Sequence, residues 1–165
     1  MRNISLLAFL ILSATLVSCT SEKNPSVGFV SAEQFEGFEW HIGTDEFVKL
    51  VTDLDEAWKV YDFEEMSPFF SDTVNIITYD GLEFDSFEAF AENIEQDPNE
   101  YKWELTSVYS VDLNPEAGGE HVHANFAIES TDPSGDVDSY FFHEHYYIIE
   151  GKIIWLHQYK RDNLD

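Results

Sequence analysis

The sequence predicts an α+β fold in which three helices precede a long run of antiparallel strands. Three observations predict it. Phe47, Leu50, Val51, Leu54, Trp58 and Tyr61 recur at spacings of three and four, the stripe of an amphipathic helix. Helix-start signals then recur at Asp62-x-x-Glu65 and at Asp85-Ser86. After Asp97-Pro98-Asn99 the chain holds only strand-like runs, punctuated by turn residues.

Each element follows from local chemistry. Thr44 stands where an N-cap is needed for the first helix. Asp62 and Glu65 form a capping box for a short second helix whose apolar face is Met66, Phe69 and Phe70. Val74 to Tyr79 is a β-rich run, Asp80-Gly81 a hairpin turn, and Leu82 to Phe84 the return. Asp85 or Ser86 caps a third helix with Phe87, Phe90 and Ile94 on one side. Four strands follow: Tyr101 to Leu113, His121 to Ser130, Val137 to Ile149 and Lys152 to Arg161. Asn114 to Gly119, Asp132 to Gly135 and Glu150-Gly151 separate them.

The N-terminus carries an address. Arg2 supplies a positive n-region, and Leu6 to Leu12 an apolar core of signal-peptide length, too short to span a bilayer. The stretch ends in Leu16-Val17-Ser18-Cys19, which resembles a bacterial lipobox. The resemblance implies that residues 1–18 are a signal peptide and that Cys19 carries the lipid. Thr20 after the cysteine implies, in a cell with two membranes, an outer-membrane lipoprotein of the cell envelope. Several acyl chains hold firmly without a membrane-spanning helix, because each buried methylene contributes about 0.8 kcal/mol. Cys19 is the only cysteine, so no disulfide within the chain is possible. Residues 19–39 are then lipidated cysteine and tether, although Phe29, Phe35 and Phe38 are too aromatic for a wholly free linker.

The 165 residues carry 33 acidic and 8 basic side chains, a net charge of −25. Such a surface repels nucleic acid and anionic ligands and tolerates cations. With 44% hydrophobic and 16% aromatic residues, the chain has the material for a packed core.

The order of elements from residue 40 to 162 resembles the nuclear transport factor two-like superfamily. That superfamily shares its cone-shaped fold with SnoaL-like polyketide cyclases, ketosteroid isomerases and scytalone dehydratases. AWKVYDFEEMSPFFSDTV at 57–74, TYDGLEFDSFEAF at 78–90 and EGKIIWLHQYKRD at 150–162 carry the likeness, as does the lead-in WHIGTDE at 40–46. The resemblance implies three helices packed on a strongly curved, mainly antiparallel sheet that encloses a cavity. It also implies a homodimer through the aromatic convex face. It does not imply one reaction, since the scaffold hosts isomerases, dehydratases, hydrolases and binding domains. The isomerases of this fold use an aspartate base with a tyrosine or second acid as donor. Asp62 matches the superfamily's aspartate, but its cap role accounts for it.

Register places the histidines of FFHEHYYI, residues 141–148. A two-residue turn at Glu150-Gly151 puts His145 opposite Leu156 and His143 opposite Gln158. A four-residue loop at Asp132 to Gly135 puts Ala124 opposite His143 and Val122 opposite His145. The cavity face then holds Phe126, Phe141, His143, His145 and Gln158, with Trp58 and Tyr61 arriving from the first helix. His143 and His145 are on this register the candidate general bases. Trp58, Tyr61, Phe126, Phe141 and Gln158 are the candidate ligand contacts. On the opposite face His121, His123, Glu144 and His157 fall together. Their spacing matches no established metal motif, and neither a metal nor a cofactor is expected.

Three functions fit these observations. The leading one is an anchored domain that binds a small, largely apolar, neutral or cationic ligand in the cone without catalysis. The second is an isomerase, dehydratase or cyclase using a pocket histidine as base. The third is a dimeric module acting through its outer face.

Overall fold

The computed structural model describes residues 25–163, so the signal peptide and Cys19 lie outside the described residues. Helix α1 (Asp45–Trp58), the one-turn helix α2 (Phe63–Met66) and helix α3 (Phe87–Glu95) pack on a single eight-stranded sheet. The strands are β1 (Ser26–Phe29), β2 (Glu39–Ile42), β3 (Phe70–Ile77), β4 (Glu83–Phe84), β5 (Glu100–Asp112), β6 (Gly119–Thr131), β7 (Val137–Ile149) and β8 (Lys152–Asp162). Their order across the sheet is β1-β2-β5-β6-β7-β8-β3-β4. Every neighbouring pair is antiparallel except β3 with β8. The expected α+β arrangement is therefore present.

The caps behave as their chemistry dictates, with one exception. The Asp62 carboxylate accepts from the Glu65 N–H at 2.9 Å, and the Ser86 hydroxyl from the Ala89 N–H at 3.2 Å. Thr44 occupies the N-cap of α1 without a side-chain cap bond. Its own N–H instead donates to Glu120 Oε2 at 2.7 Å, which ties the start of α1 to β6. Helix α1 stops at Trp58, and Tyr61 adopts the left-handed conformation (φ 53°) in the turn that follows. Its ring meets Trp103 and Phe63 edge-on. The stretch read as tether supplies β1, whose residues are all exposed, and which pairs with β2 at the sheet edge.

The core lies between the helices and the concave face. Val51 and Leu54 of α1, Met66 of α2 and Phe90 of α3 meet Val122, Ala124, Tyr146, Ile148 and Leu156 of the sheet. Burial of these side chains, at roughly 25 cal/mol per Å² of apolar surface, is what holds the helices on the sheet.

The register of β7 differs from the expectation by one residue. The loop between β6 and β7 has five residues, closed by the Asp132 N–H to the Asp136 carbonyl at 3.0 Å, so Thr131 faces Val137. Ala124 then stands opposite Glu144, and Asn125 opposite His143. The Glu150-Gly151 turn does have two residues, with φ of 50° and 73°, and Ile149 faces Lys152 as expected. A bulge at Ile154 then shifts the pairing, so that Trp155 faces Tyr147 and Gln158 faces Glu144. The two shifts cancel between β6 and β8 and invert only β7.

Candidate functional site

The inversion decides what the cavity contains. Even-numbered residues of β6, β7 and β8 share the concave face: Phe126 and Ile128, Tyr140, Phe142 and Glu144, Leu156 and Gln158. Trp58 and Tyr61 come from α1 and its exit turn, Phe90 and Ile94 from α3, and Trp103 from β5. Together they line a cavity of about 200 Å³. Tyr61, Tyr79 and Leu82, all substantially exposed, stand at its mouth.

Four of the residues expected to contact a ligand line this cavity: Trp58, Tyr61, Phe126 and Gln158. Phe141 does not. It points to the convex face, where the Arg161 guanidinium lies over its ring. His143 and His145 are likewise on the convex face, and Glu144 is inside. The reason is the extra loop residue before β7, which turns the whole strand over.

Three carboxyl side chains line the cavity, Asp55, Asp80 and Glu144, together with Thr78, Asn93, Gln158 and several tyrosines. Asp80 is exposed and accepts from the Thr78 hydroxyl at 2.5 Å. Asp55, one turn before the end of α1, is 5% exposed. It accepts the Trp103 indole N–H at Oδ1 (2.8 Å) and faces the Lys59 ammonium at Oδ2 (3.3 Å). Glu144 accepts from the Tyr146 hydroxyl at Oε2 and from the Gln158 amide at Oε1 (2.8 Å). Burial raises the Glu144 carboxyl above the usual glutamate range, and the Asp55 charge adds to this, while the two hydrogen bonds oppose it. Burial beside Glu144 also pushes the Tyr146 phenol well above its ordinary value. Burial raises the Tyr61 phenol, with Asp97 adding to it, and burial raises that of Tyr140. Sequence reasoning missed Asp55 because it sits in the polar gap of a helix pattern, and Glu144 because it was placed on the wrong face. The signal available for Asp55 was a carboxylate one residue after Leu54, on the edge of the buried stripe.

The convex face gathers five histidines. His121, His123, His143, His145 and His157 share it with Trp155 and Tyr159. His121 Nδ1 lies 3.0 Å from His145 Nε2, and His123 Nδ1 lies 3.1 Å from His143 Nε2. His123 and His145 stack at 4.0 Å between ring centres. Burial lowers their basicity, to about 4 for His121 and His123 and about 3 for His145, where the neighbouring imidazoles add to the effect. Among the described residues, no three histidine, cysteine, aspartate or glutamate side chains converge on one metal position. No described helix is long and apolar enough to cross a membrane.

No protein-family model matches this sequence, and no curated protein matches it. Solved structures do match. An uncharacterised protein with a cystatin-like fold from Caulobacter vibrioides superposes with a TM-score of 0.61 at 16% identity, over 73% of this chain and 90% of that one. An LEH-like epoxide hydrolase from M. tuberculosis gives 0.58 at 12% identity, over 72% and 84%. An NTF2-like protein of unknown function from Exiguobacterium sp. 255-15 gives 0.54 at 16%, over 70% and 98%. At these identities the likeness is one of fold, and fold alone does not carry function. The chain has the nuclear transport factor two-like cone fold, with helices over the concave face of a curved sheet and an aromatic cavity between them.

Proposed function

We propose that this chain is a lipid-anchored domain of the cell envelope whose cone binds a small, largely apolar ligand without transforming it. The observation that supports this reading is the state of the cavity's carboxyl groups. All three are engaged by side chains of the protein itself, Asp55 by Trp103 and Lys59, Asp80 by Thr78, and Glu144 by Tyr146 and Gln158. Recognition then falls to the aromatic walls and to the tyrosines at the mouth. Size narrows the ligand further. A cavity of about 150 Å³ accepts benzene, so about 200 Å³ suits a single substituted ring. The anchor rests on the lipobox pattern at Cys19.

Native mass spectrometry on protein purified from envelope extracts tests the proposal. The wild-type chain is expected to carry a small organic species, and Ile128→Trp, which fills the cavity, is expected to lose it. A wild-type chain without any such species under gentle desorption, or a species retained equally by the filled variant, sinks the proposal.

One observation favours a second reading, proton-transfer catalysis. A carboxyl whose proton affinity is raised by burial suits general-acid work, and Glu144 has a tyrosine beside it, with the Asp55 charge adding to the rise. This reading now rests on Glu144 and not on a histidine. Incubating the bound species in D₂O distinguishes the two. Deuterium incorporation by the wild type and its loss in Glu144→Gln favour catalysis, and no incorporation in either favours binding alone.

A further inference from the structure

We propose that each cross-strand pair of the convex histidine row, His123/His143 and its neighbour His121/His145, is a two-imidazole binding position for a divalent transition-metal ion of the Cu²⁺ class. The sequence repeats His-x-His on two adjacent antiparallel strands, at 121 and 123 on β6 and at 143 and 145 on β7. Side chains two apart on a strand share a face, so the four imidazoles meet there.

The ring nitrogens are already at a chelating separation. At metal–nitrogen distances of about 2.0–2.1 Å, nitrogens 3.0 to 3.1 Å apart subtend roughly 95° at a shared ion. That is the near-right angle of tetragonal and square-planar sites, the geometry favoured by Cu²⁺. A tetrahedral ion would require the nitrogens to spread further. Two imidazoles from one pair fill two positions, with water in the rest. The lack of a three-ligand cluster among the described residues limits each ion to two protein ligands.

The surroundings resemble the support of a metal ligand. The Asn125 amide donates to Ser107 Oγ at 2.8 Å, which turns its carbonyl oxygen toward His143. His143 Nδ1 lies 3.0 Å from that oxygen and therefore carries the proton. Its Nε2 lone pair is left facing His123 Nδ1. A ligating histidine whose other ring N–H is held by a carbonyl is the usual arrangement. On binding, the rings turn about χ2, and the His123 proton moves from Nδ1 to Nε2, so both ligands stay neutral. The net charge of −25 raises the local concentration of cations.

The test is Cu²⁺ titration of the untagged full-length chain, followed by electron paramagnetic resonance. Binding of at least one ion per chain, with hyperfine structure from imidazole nitrogen, is expected. The double variant His123→Gln/His145→Gln removes one ligand from each pair and is expected to abolish that signal. Asn125→Ala leaves the ligands in place and is expected to weaken binding by roughly 10–100-fold. A wild-type spectrum without imidazole nitrogen overturns the proposal whether or not any variant folds. So does unchanged Cu²⁺ affinity in a folded double variant.

Discussion

The Trp103 indole of β5 donates its N–H to the Asp55 carboxylate of α1 at 2.8 Å, joining the first helix to the sheet across the inner end of the cavity. The two residues are 48 positions apart, and Asp55 is almost fully buried. Such a bond keeps a buried charge satisfied and fixes the angle of α1 over β5.

Trp103→Phe removes the donor and leaves a smaller aromatic ring, so some packing is lost with the hydrogen bond. It is expected to lower stability by about 1–3 kcal/mol, because Asp55 keeps only its ion pair with Lys59. Urea denaturation followed by circular dichroism measures this. A change within error would mean that water replaces the indole at no cost.

Glu144 offers a comparison of two substitutions. Glu144→Gln retains an acceptor for Tyr146 and stays uncharged, as burial already favours. It is expected to be close to neutral or stabilising at pH 7. Glu144→Ala strands the Tyr146 hydroxyl, inside the core, and the Gln158 amide. It is expected to lose about 2–5 kcal/mol from lost hydrogen bonds and a small cavity. Equal stability of the two variants in the same denaturation assay would contradict this account of the site.

Stability should fall as the solution is acidified, and the histidine row sets the window. His121 and His123 titrate at about 4 and His145 at about 3, against 6.5 when exposed. Below pH 6.5 the unfolded chain takes up protons that the folded chain refuses. The contribution of these groups is thus complete above 6.5 and is lost as pH falls toward 3. Glu144 acts in the opposite sense. Its raised value stabilises the fold at low pH, and that contribution is lost as pH rises from 4.5 through the folded value. Melting temperatures of the wild type and of the triple variant His121→Gln/His123→Gln/His145→Gln separate the effects. The variant is expected to show a flatter slope between pH 6.5 and 4.

Gly43 is expected to tolerate no side chain. A Cβ there would lie 2.2 Å from Ser110 Oγ and 2.4 Å from Glu120 Oε2. Those two atoms hold each other at 2.5 Å, and Glu120 Oε2 also accepts the Thr44 N–H that starts α1. Gly43→Ala must push this buried group apart and should cost about 1–3 kcal/mol. A melting temperature equal to that of the wild type would show that the contact relaxes freely.

The sequence by itself determined the order of the elements from α1 onward and much of what each one buries, but not the edge strands β1 and β2. Local rules were enough for the helical spacing in α1, the Asp62 and Ser86 caps, the Glu150-Gly151 turn and the alternation in β6. The Asp80-Gly81 hairpin differs from its expectation: Ile77 faces Glu83 across a five-residue loop, and its turn closes from the Gly81 N–H to the Thr78 carbonyl at 3.0 Å. The concave positions of β6 and β8, including Phe126 and Gln158, also followed from the pattern. The face of β7 did not. Its residues 140–148 are aromatic, histidine or aliphatic on both sides apart from Glu144, so alternation cannot say which side is buried. The choice was made by one extra loop residue at Asp136 and one bulge at Ile154. Both are features of pairing between strands and leave no periodic mark on either strand alone. Tertiary structure therefore decided that Glu144 enters the cone and that His143 and His145 join the outer histidines. A strand's side chains alternate with period two, so a shift of one residue exchanges all of them at once.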